Sequence, residues 1–290
     1  GDKTEGKATA HVIRYKDGNL PVEVYFDSFN KLPLRVIYTE DDPIYGDTLN
    51  ELAFAEWRDY NGVRLPQTMA VFVNGNKIRE ERARNIINNP KYDEATMSVP
   101  DDIQAQPANG EPIVSQWPLR RVVMGVGYQD FGREQKVDVV EAAKGVYQLK
   151  GGTHHSMAVE MKDHIVVIEA PLFEERSLAV IKALETKIPG KPIKYVVMTH
   201  FHIDHSGGIR AYAAKGATIL AQEGNVEFIK TVLSRPKTVR PDSLAKTGNV
   251  TPNIEGFKDV KTLTDGERTI ELREIPNPHS SGMLVAYLPN

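Results

Sequence analysis

The chain has 290 residues, 40% of them hydrophobic and 26% charged, which is enough for two domains of ordinary size that each bury a core. Its 36 basic and 39 acidic residues leave a net charge of -3 with no long run of one sign, so the charge balance gives no reason to expect nucleic acid or an acidic membrane as a partner. There is no cysteine, which excludes disulfides, thiolate zinc sites and cysteine nucleophiles within these residues while permitting an oxidising compartment.

The opening GDKTEGKATA lacks the basic-then-apolar pattern of a signal peptide, and no apolar run approaches the roughly 20 residues of a membrane span. Gly1 reads as the start of a processed or trimmed chain, which leaves a removed targeting segment open. Residues 1–100 read as a mainly antiparallel β domain, with alternating segments such as VEVYF (Val22 to Phe26) and LRVIY (Leu34 to Tyr38). In TMAVFVNGNKIREE the Asn74-Gly75 pair predicts a tight hairpin, because both residues tolerate positive φ. Residues 101–135 (PDDIQAQPANGEP, then SQWPLRR) lose apolar periodicity and are expected to be a linker. From 136 to 290 the texture alternates between strands and helices. GVYQLKGG, SMAVEM and the run IVVIEA predict a strand meander. ERSLAVIKALETKIPG predicts a helix with Leu178, Ile181 and Leu184 on one face, stopped by Pro189-Gly190. A buried strand IKYVVM follows, then THFHIDHSGG (Thr199 to Gly208), a helix, the strand ATILA, the helix NVEFIKTVL, and a last pair of strands, TIELREI and MLVAYL.

THFHIDHSGG carries the chemistry. Imidazole nitrogen and carboxylate oxygen are the ligands a zinc-like divalent ion takes where thiolate is absent. His200 and His202 leave a strand end two residues apart, so alternation points both to one side, where they can reach one ion. Asp204 and His205 lie one bend further on and can face a second ion about 3.5–4 Å away. Gly207 and Gly208 are expected where the backbone turns tightly. Any one of these histidines alone would be an ordinary residue. Four metal-capable side chains at this spacing after a buried strand point to a metal site.

On His200, His202, Asp204 and His205, residues 136–290 resemble the metallo-β-lactamase fold superfamily, whose HxHxDH motif they match. The resemblance implies an αββα sandwich of α+β class. It also implies that His200 and His202 are two of three ligands of a first metal. The third is expected in a loop before a late strand, where PNPHSSGMLVAYLP offers His279. Asp204 and His205 are implied as ligands of a second metal, with Asp204 also orienting the nucleophile as a catalytic residue. The family's bridging carboxylate and final histidine would fall beyond Asn290, so the domain is expected to be incomplete at its C-terminal end. His154 and His155, in KGGTHHSMAV, would by the resemblance overhang the metal centre and contact substrate, although two solvated turn histidines are the plainer reading. Glu169, at a strand end, takes the place of a carboxylate that supports the metal loop. His11 and His164 carry no constellation.

The first domain more loosely resembles the half-barrel of LolA-like lipoprotein carriers, through YFDSFNKLPLRVIYTEDDPIYGD and YNGVRLPQTMAVFVNG. That implies a periplasmic or otherwise exported setting in a Gram-negative bacterium, with a lipid or hydrophobic ligand possible at this domain. The expected function is a metal-dependent, di-zinc hydrolase of an ester, thioester, lactone, amide or β-lactam-type small molecule, acting through a metal-bound hydroxide, with other divalent transition metals able to replace zinc. The alternative is an exported hydrophobic-ligand or lipid-binding module with a vestigial metal domain. Substrate and oligomeric state do not follow from the sequence.

Overall fold

The computed structural model describes residues 2–5, 8–17, 20–104, 135–248 and 250–289. Most of the segment expected to be a linker therefore lies outside the described residues. The chain divides into two compact units, Gly1–Thr39 with Thr48–Tyr128, and Glu40–Asp47 with Gln129–Asn290.

The first unit is built on a sheet of seven strands in sequence order, β1 (Asp2–Glu5), β2 (Ala8–Asp17), β3 (Leu20–Asp27), β4 (Pro33–Asp42), β5 (Gly46–Tyr60), β6 (Val63–Val73) and β7 (Asn76–Arg82). β1 to β4 run antiparallel to one another, as do β5 to β7. The hairpin between β6 and β7 turns on Asn74 and Gly75, with φ of 50° and 80°, the left-handed pair that a two-residue turn requires. Ala10, Val12 and Tyr25 are buried, with Leu34 and Ile37 packed against them. A 3-10 turn at Glu94–Met97 and a single helical turn, α1 (Asp101–Gln104), follow.

The second unit carries a second seven-stranded sheet in the order β14-β13-β12-β11-β10-β9-β8. Its strands are β8 (Asp138–Ala143), β9 (Val146–Lys150), β10 (Ser156–Glu160), β11 (Ile165–Ile168), β12 (Ile193–Val197), β13 (Thr218–Gln222) and β14 (Ile254–Phe257). β8 to β11 form an antiparallel meander, and β11 to β14 run parallel. The parallel strands need crossovers, supplied by α2 (Glu174–Lys187), α3 (Ile203–Ser206) with α4 (Ile209–Ala214), and α5 (Val226–Ser234) with α6 (Ser243–Lys246). A second, three-stranded antiparallel sheet contains β15 (Val260–Thr264), β16 (Thr269–Ile275) and β17 (Met283–Tyr287).

Side-chain alternation separates two cores. Ala158, Ile165, Val167, Val196, Ile219 and Ala221 join the cluster that packs under the helices. Their neighbours Val159, Val166, Ile168, Val197 and Leu220 face the other way, onto Leu263, Ile270, Leu272 and Leu284 of the small sheet. A strand buried on both faces has no polar face to show, which is why IVVI reads as a continuous apolar run. The layering is thus helices, sheet, sheet, within the α+β class the motif implied.

The buried face of α2 differs from the expected one. Ser177, Val180, Ile181 and Leu184 are buried, whereas Leu178 is 36% exposed. The helix is rotated so that Arg176 and Ser177, two polar residues, also face inward. Apolar periodicity alone could not register that.

Candidate metal centre

The centre is assembled at the carboxyl ends of β11 and β12. Buried Val196 and Val197 fix the strand, and Met198 N still pairs with Leu220 O at 2.9 Å. The chain then leaves the sheet. Leu284 N, in β17, donates to Thr199 O at 2.9 Å, which ties the loop ahead of β17, including His279, to the start of the motif. His202 precedes α3, whose single turn holds Asp204 and His205. This turn is docked on the segment after β11 through Leu172 N to Ile203 O and Ala170 N to His205 O, both at 3.0 Å, and Gly208 N to Ala170 O at 2.8 Å.

Gly207 and Gly208 serve close approach rather than a strained turn. Gly207 has φ of -60° and Gly208 of -101°, which any residue can adopt. A Cβ at Gly207 would instead collide with the carbonyl of Leu172, and one at Gly208 with the Ser177 hydroxyl. The tight approach is to a backbone carbonyl at Gly207 and to an α2 side chain at Gly208, so bare Cα positions are needed to seat α3 and α4 on the loop after β11 and on the start of α2.

That loop contains two non-glycine residues at positive φ, Glu169 at 76° and Leu172 at 68°. Such conformations cost free energy and cluster where a side chain must be aimed. Glu169 is aimed at the motif: Oε1 accepts from Thr199 N at 3.1 Å and Oε2 pairs with His205 Nδ1. The supporting role expected of Glu169 therefore has a specific geometry, one carboxylate spanning both ends of THFHIDH. Its left-handed φ had no sequence signal, because Glu is not a residue type that favours it.

Among the described residues, two sets of metal-capable side chains come together. His200, His202 and His279 each place a ligand atom within 4.8 Å of the others, as do His154, Asp204 and His205. The His200 and His205 rings are 4.0 Å apart between centroids, so the sets adjoin. In the first, His202 Nδ1 lies 3.0 Å from His279 Nε2. His200 is 2% exposed. Its Nδ1 sits 3.1 Å from the Thr199 hydroxyl, while its Nε2 is buried with no hydrogen-bond partner. In the second, His154 Nε2 lies 3.1 Å and His205 Nε2 3.8 Å from Asp204 Oδ2. His155 joins neither set; it is exposed, with Nδ1 3.2 Å from Gln148 Nε2.

The electrostatics sort these groups. Burial, followed by the charge on His205, pushes the His200 pKa down to about 4, so its ring is neutral at pH 7 and can offer a lone pair. For His205 burial acts downward, but the hydrogen bond and charge of Glu169 and the charge of Asp204 outweigh it and raise the pKa. Burial acts upward on Asp204; its own backbone N–H and the nearby His205, His154 and His202 outweigh that and hold the carboxyl below its usual range.

A sheet flanked by helices and a smaller sheet thus carries a histidine-aspartate cluster at its strand ends. Residues 149–289 match the family model of the metallo-beta-lactamase superfamily. A 71-residue stretch is 34% identical to a linear primary-alkylsulfatase from Pseudomonas sp., covering 24% of this chain and 10% of that protein. The chain thus spans about a tenth of the curated relative it matches. Among solved structures, it is similar to a metallo-beta-lactamase from Pontibacter korlensis (20% identity, TM-score 0.39, 53% of this chain and 67% of that one). It is likewise similar to an inverting sec-alkylsulfatase from Pseudomonas sp. (21% identity, TM-score 0.40, 53% and 30%).

Proposed function

We propose that this chain carries the centre of a metal-dependent hydrolase of small ester-type molecules that works with two divalent ions, zinc or a similar metal. The observation that carries the reading is the buried, unpartnered Nε2 of His200, facing a set completed by His202 and His279. A polar atom left bare in a protein interior costs about 1–3 kcal/mol, and a lone pair on a ring held neutral is what a metal would satisfy. The donors are imidazoles and one carboxylate, which suit zinc and its borderline neighbours.

In this reading His200, His202 and His279 hold the first ion, and Asp204 and His205 hold the second. When bound, such ions acidify water and polarise the ester oxygen under attack. Asp204, ionised at neutral pH, accepts a hydrogen bond from the attacking water through a carboxylate oxygen and fixes its direction. Glu169 takes the Nδ1 side of His205, which leaves Nε2 for the ion. Thr199 does the same for His200 at Nδ1.

The likeness to an alkylsulfatase makes sulfate esters the first substrates to try, ahead of carboxylic esters, thioesters, lactones and β-lactams. The test is hydrolysis of that panel by protein loaded with zinc, before and after chelation. The expected result is turnover of at least one class, lost on chelation and restored by metal. No turnover of any class by protein shown to hold its metal would refute the reading.

A further inference from the structure

His154 and His155 are adjacent in sequence but do different things. They follow Gly151 and Gly152, whose φ values of 114° and 93° carry the chain out of β9 and back toward β10. His155 faces solvent. The half-buried His154 turns inward: its Nδ1 lies 2.9 Å from the Thr153 hydroxyl, its Nε2 lies 3.1 Å from Asp204 Oδ2, and its ring meets that of His205 edge-on at 5.7 Å.

His154 thus repeats the pattern of His200 and His205, whereas His202 turns its Nδ1 to His279. Each has Nδ1 engaged by a neighbour, Thr199 for His200, Glu169 for His205 and Thr153 for His154, and each turns Nε2 toward the cluster. Such engagement orients the ring and leaves the other nitrogen for a metal. The spacing also suits a shared ion. Two ligands at bond lengths of about 2.0–2.2 Å around a tetrahedral centre lie about 3.3–3.6 Å apart, and the separations from Asp204 Oδ2, 3.1 Å to His154 and 3.8 Å to His205, fall on either side of that value.

We propose that His154 is a protein ligand of the second ion, completing with Asp204 and His205 a three-donor set of two imidazoles and a carboxylate. This replaces the substrate contact first expected of His154, leaves His155 outside the centre, and rests on the two-ion reading above.

The test is metal binding rather than turnover. Zinc affinity and stoichiometry are measured by competition with a chelator for the parent, His154→Ala and His155→Ala. The parent is expected to bind two ions. His154→Ala should keep the first and bind the second more than about 100-fold more weakly, beyond the 10–100-fold that loss of an outer hydrogen-bond partner costs, while His155→Ala should match the parent. A loss within that outer range, or none, overturns the proposal and leaves the two-ion reading standing; a parent that binds fewer than two ions overturns the reading itself. Should His154→Ala fold poorly, His154→Cys loaded with cobalt gives an independent signal. A sulfur-to-cobalt charge-transfer band is expected in it and not in His155→Cys, and a folded His154→Cys protein that binds two cobalt ions without the band also overturns the proposal.

Discussion

Asp242→Ala should destabilise the second unit far more than an ordinary ion-pair deletion. The side chains of Arg210 and Asp242 are only 5% and 6% exposed. The guanidinium meets the carboxylate in two places, Nε with Oδ2 and Nη2 with Oδ1, the latter at 3.1 Å. Its Nη1 donates to the carbonyls of Val232 at 3.0 Å and Leu233 at 2.7 Å. Arg210 therefore fastens α4, which begins directly after the motif of His200 to His205, to the end of α5 and the start of α6. Truncating Asp242 leaves a buried cation with carbonyl partners but no counter-charge, a situation that costs about 3–5 kcal/mol. It also removes the cap of α6, where Asp242 Oδ1 accepts from Ala245 N at 2.8 Å, worth about 1 kcal/mol. A loss of that size is a large share of a domain's roughly 5–15 kcal/mol and lowers Tm by on the order of 10 °C. Circular dichroism melts at pH 7 would measure it, with Arg210→Met/Asp242→Leu as the control expected to recover most of the loss, since no charge is then stranded. The sign with pH follows from Asp242. Burial acts upward on its pKa, but Arg210 and the Ala245 N–H outweigh it and hold the group below 3.8. The pair's contribution is thus complete above that value and fades as pH falls through the lower folded value. An Asp242→Ala melt within about 1 kcal/mol of the parent, as for a solvated surface pair, would refute the reasoning.

Three further substitutions bear on the centre and its frame. Glu169→Gln keeps the acceptor for Thr199 N but sets an amide donor against His205 Nδ1, turning the imidazole's proton toward Nε2; second-ion affinity measured by chelator competition should fall about 10–100-fold, with the first ion unaffected. Gly207→Ala keeps a helical φ yet drives a Cβ into the Leu172 and Ile203 carbonyls, so melts should show a loss of about 1–3 kcal/mol and metal binding should weaken with it. Asp265, whose carboxylate accepts from the N–H groups of Arg268, Lys162 and Glu267 at 2.7, 2.6 and 2.9 Å, has its pKa lowered to about 2, chiefly by the Arg268 bond. Asp265→Asn should lower Tm at pH 7, with the gap from the parent closing as pH falls from 3.8 through about 2.

The parts of the fold and site that were legible in the sequence are those set by local chemistry. Asn74-Gly75 announces its hairpin because positive φ is a residue-level preference, and IVVI announces a strand because both its faces are buried. His200 and His202 are legible as a pair because strand alternation works over two residues. Contacts that depend on distant partners were not. His279 stands 77 residues from His202 and was reachable only through a family resemblance. His154 and His155 are chemically identical in sequence; which one turns inward shows only in the contacts of His154 with Asp204 and His205, about 50 residues further along. Glu169 was legible as a strand-end acid but not as one spanning Thr199 and His205, since that depends on a left-handed backbone that Glu does not advertise. Lys237, buried against Asp41 at 2.6 Å, lies almost 200 residues from its partner, and no local pattern pairs them. The α2 register failed for the related reason that Ser177 is buried beneath Gly208, a contact made only in three dimensions.

The most direct test of the proposed two-ion centre is the number of zinc ions per chain after equilibrium dialysis, measured by elemental analysis on the parent, His200→Ala and His279→Ala. Two ions are predicted for the parent, with each variant losing the first ion. Fewer than two ions in the parent, or variants that hold as much zinc as the parent does, would contradict the account.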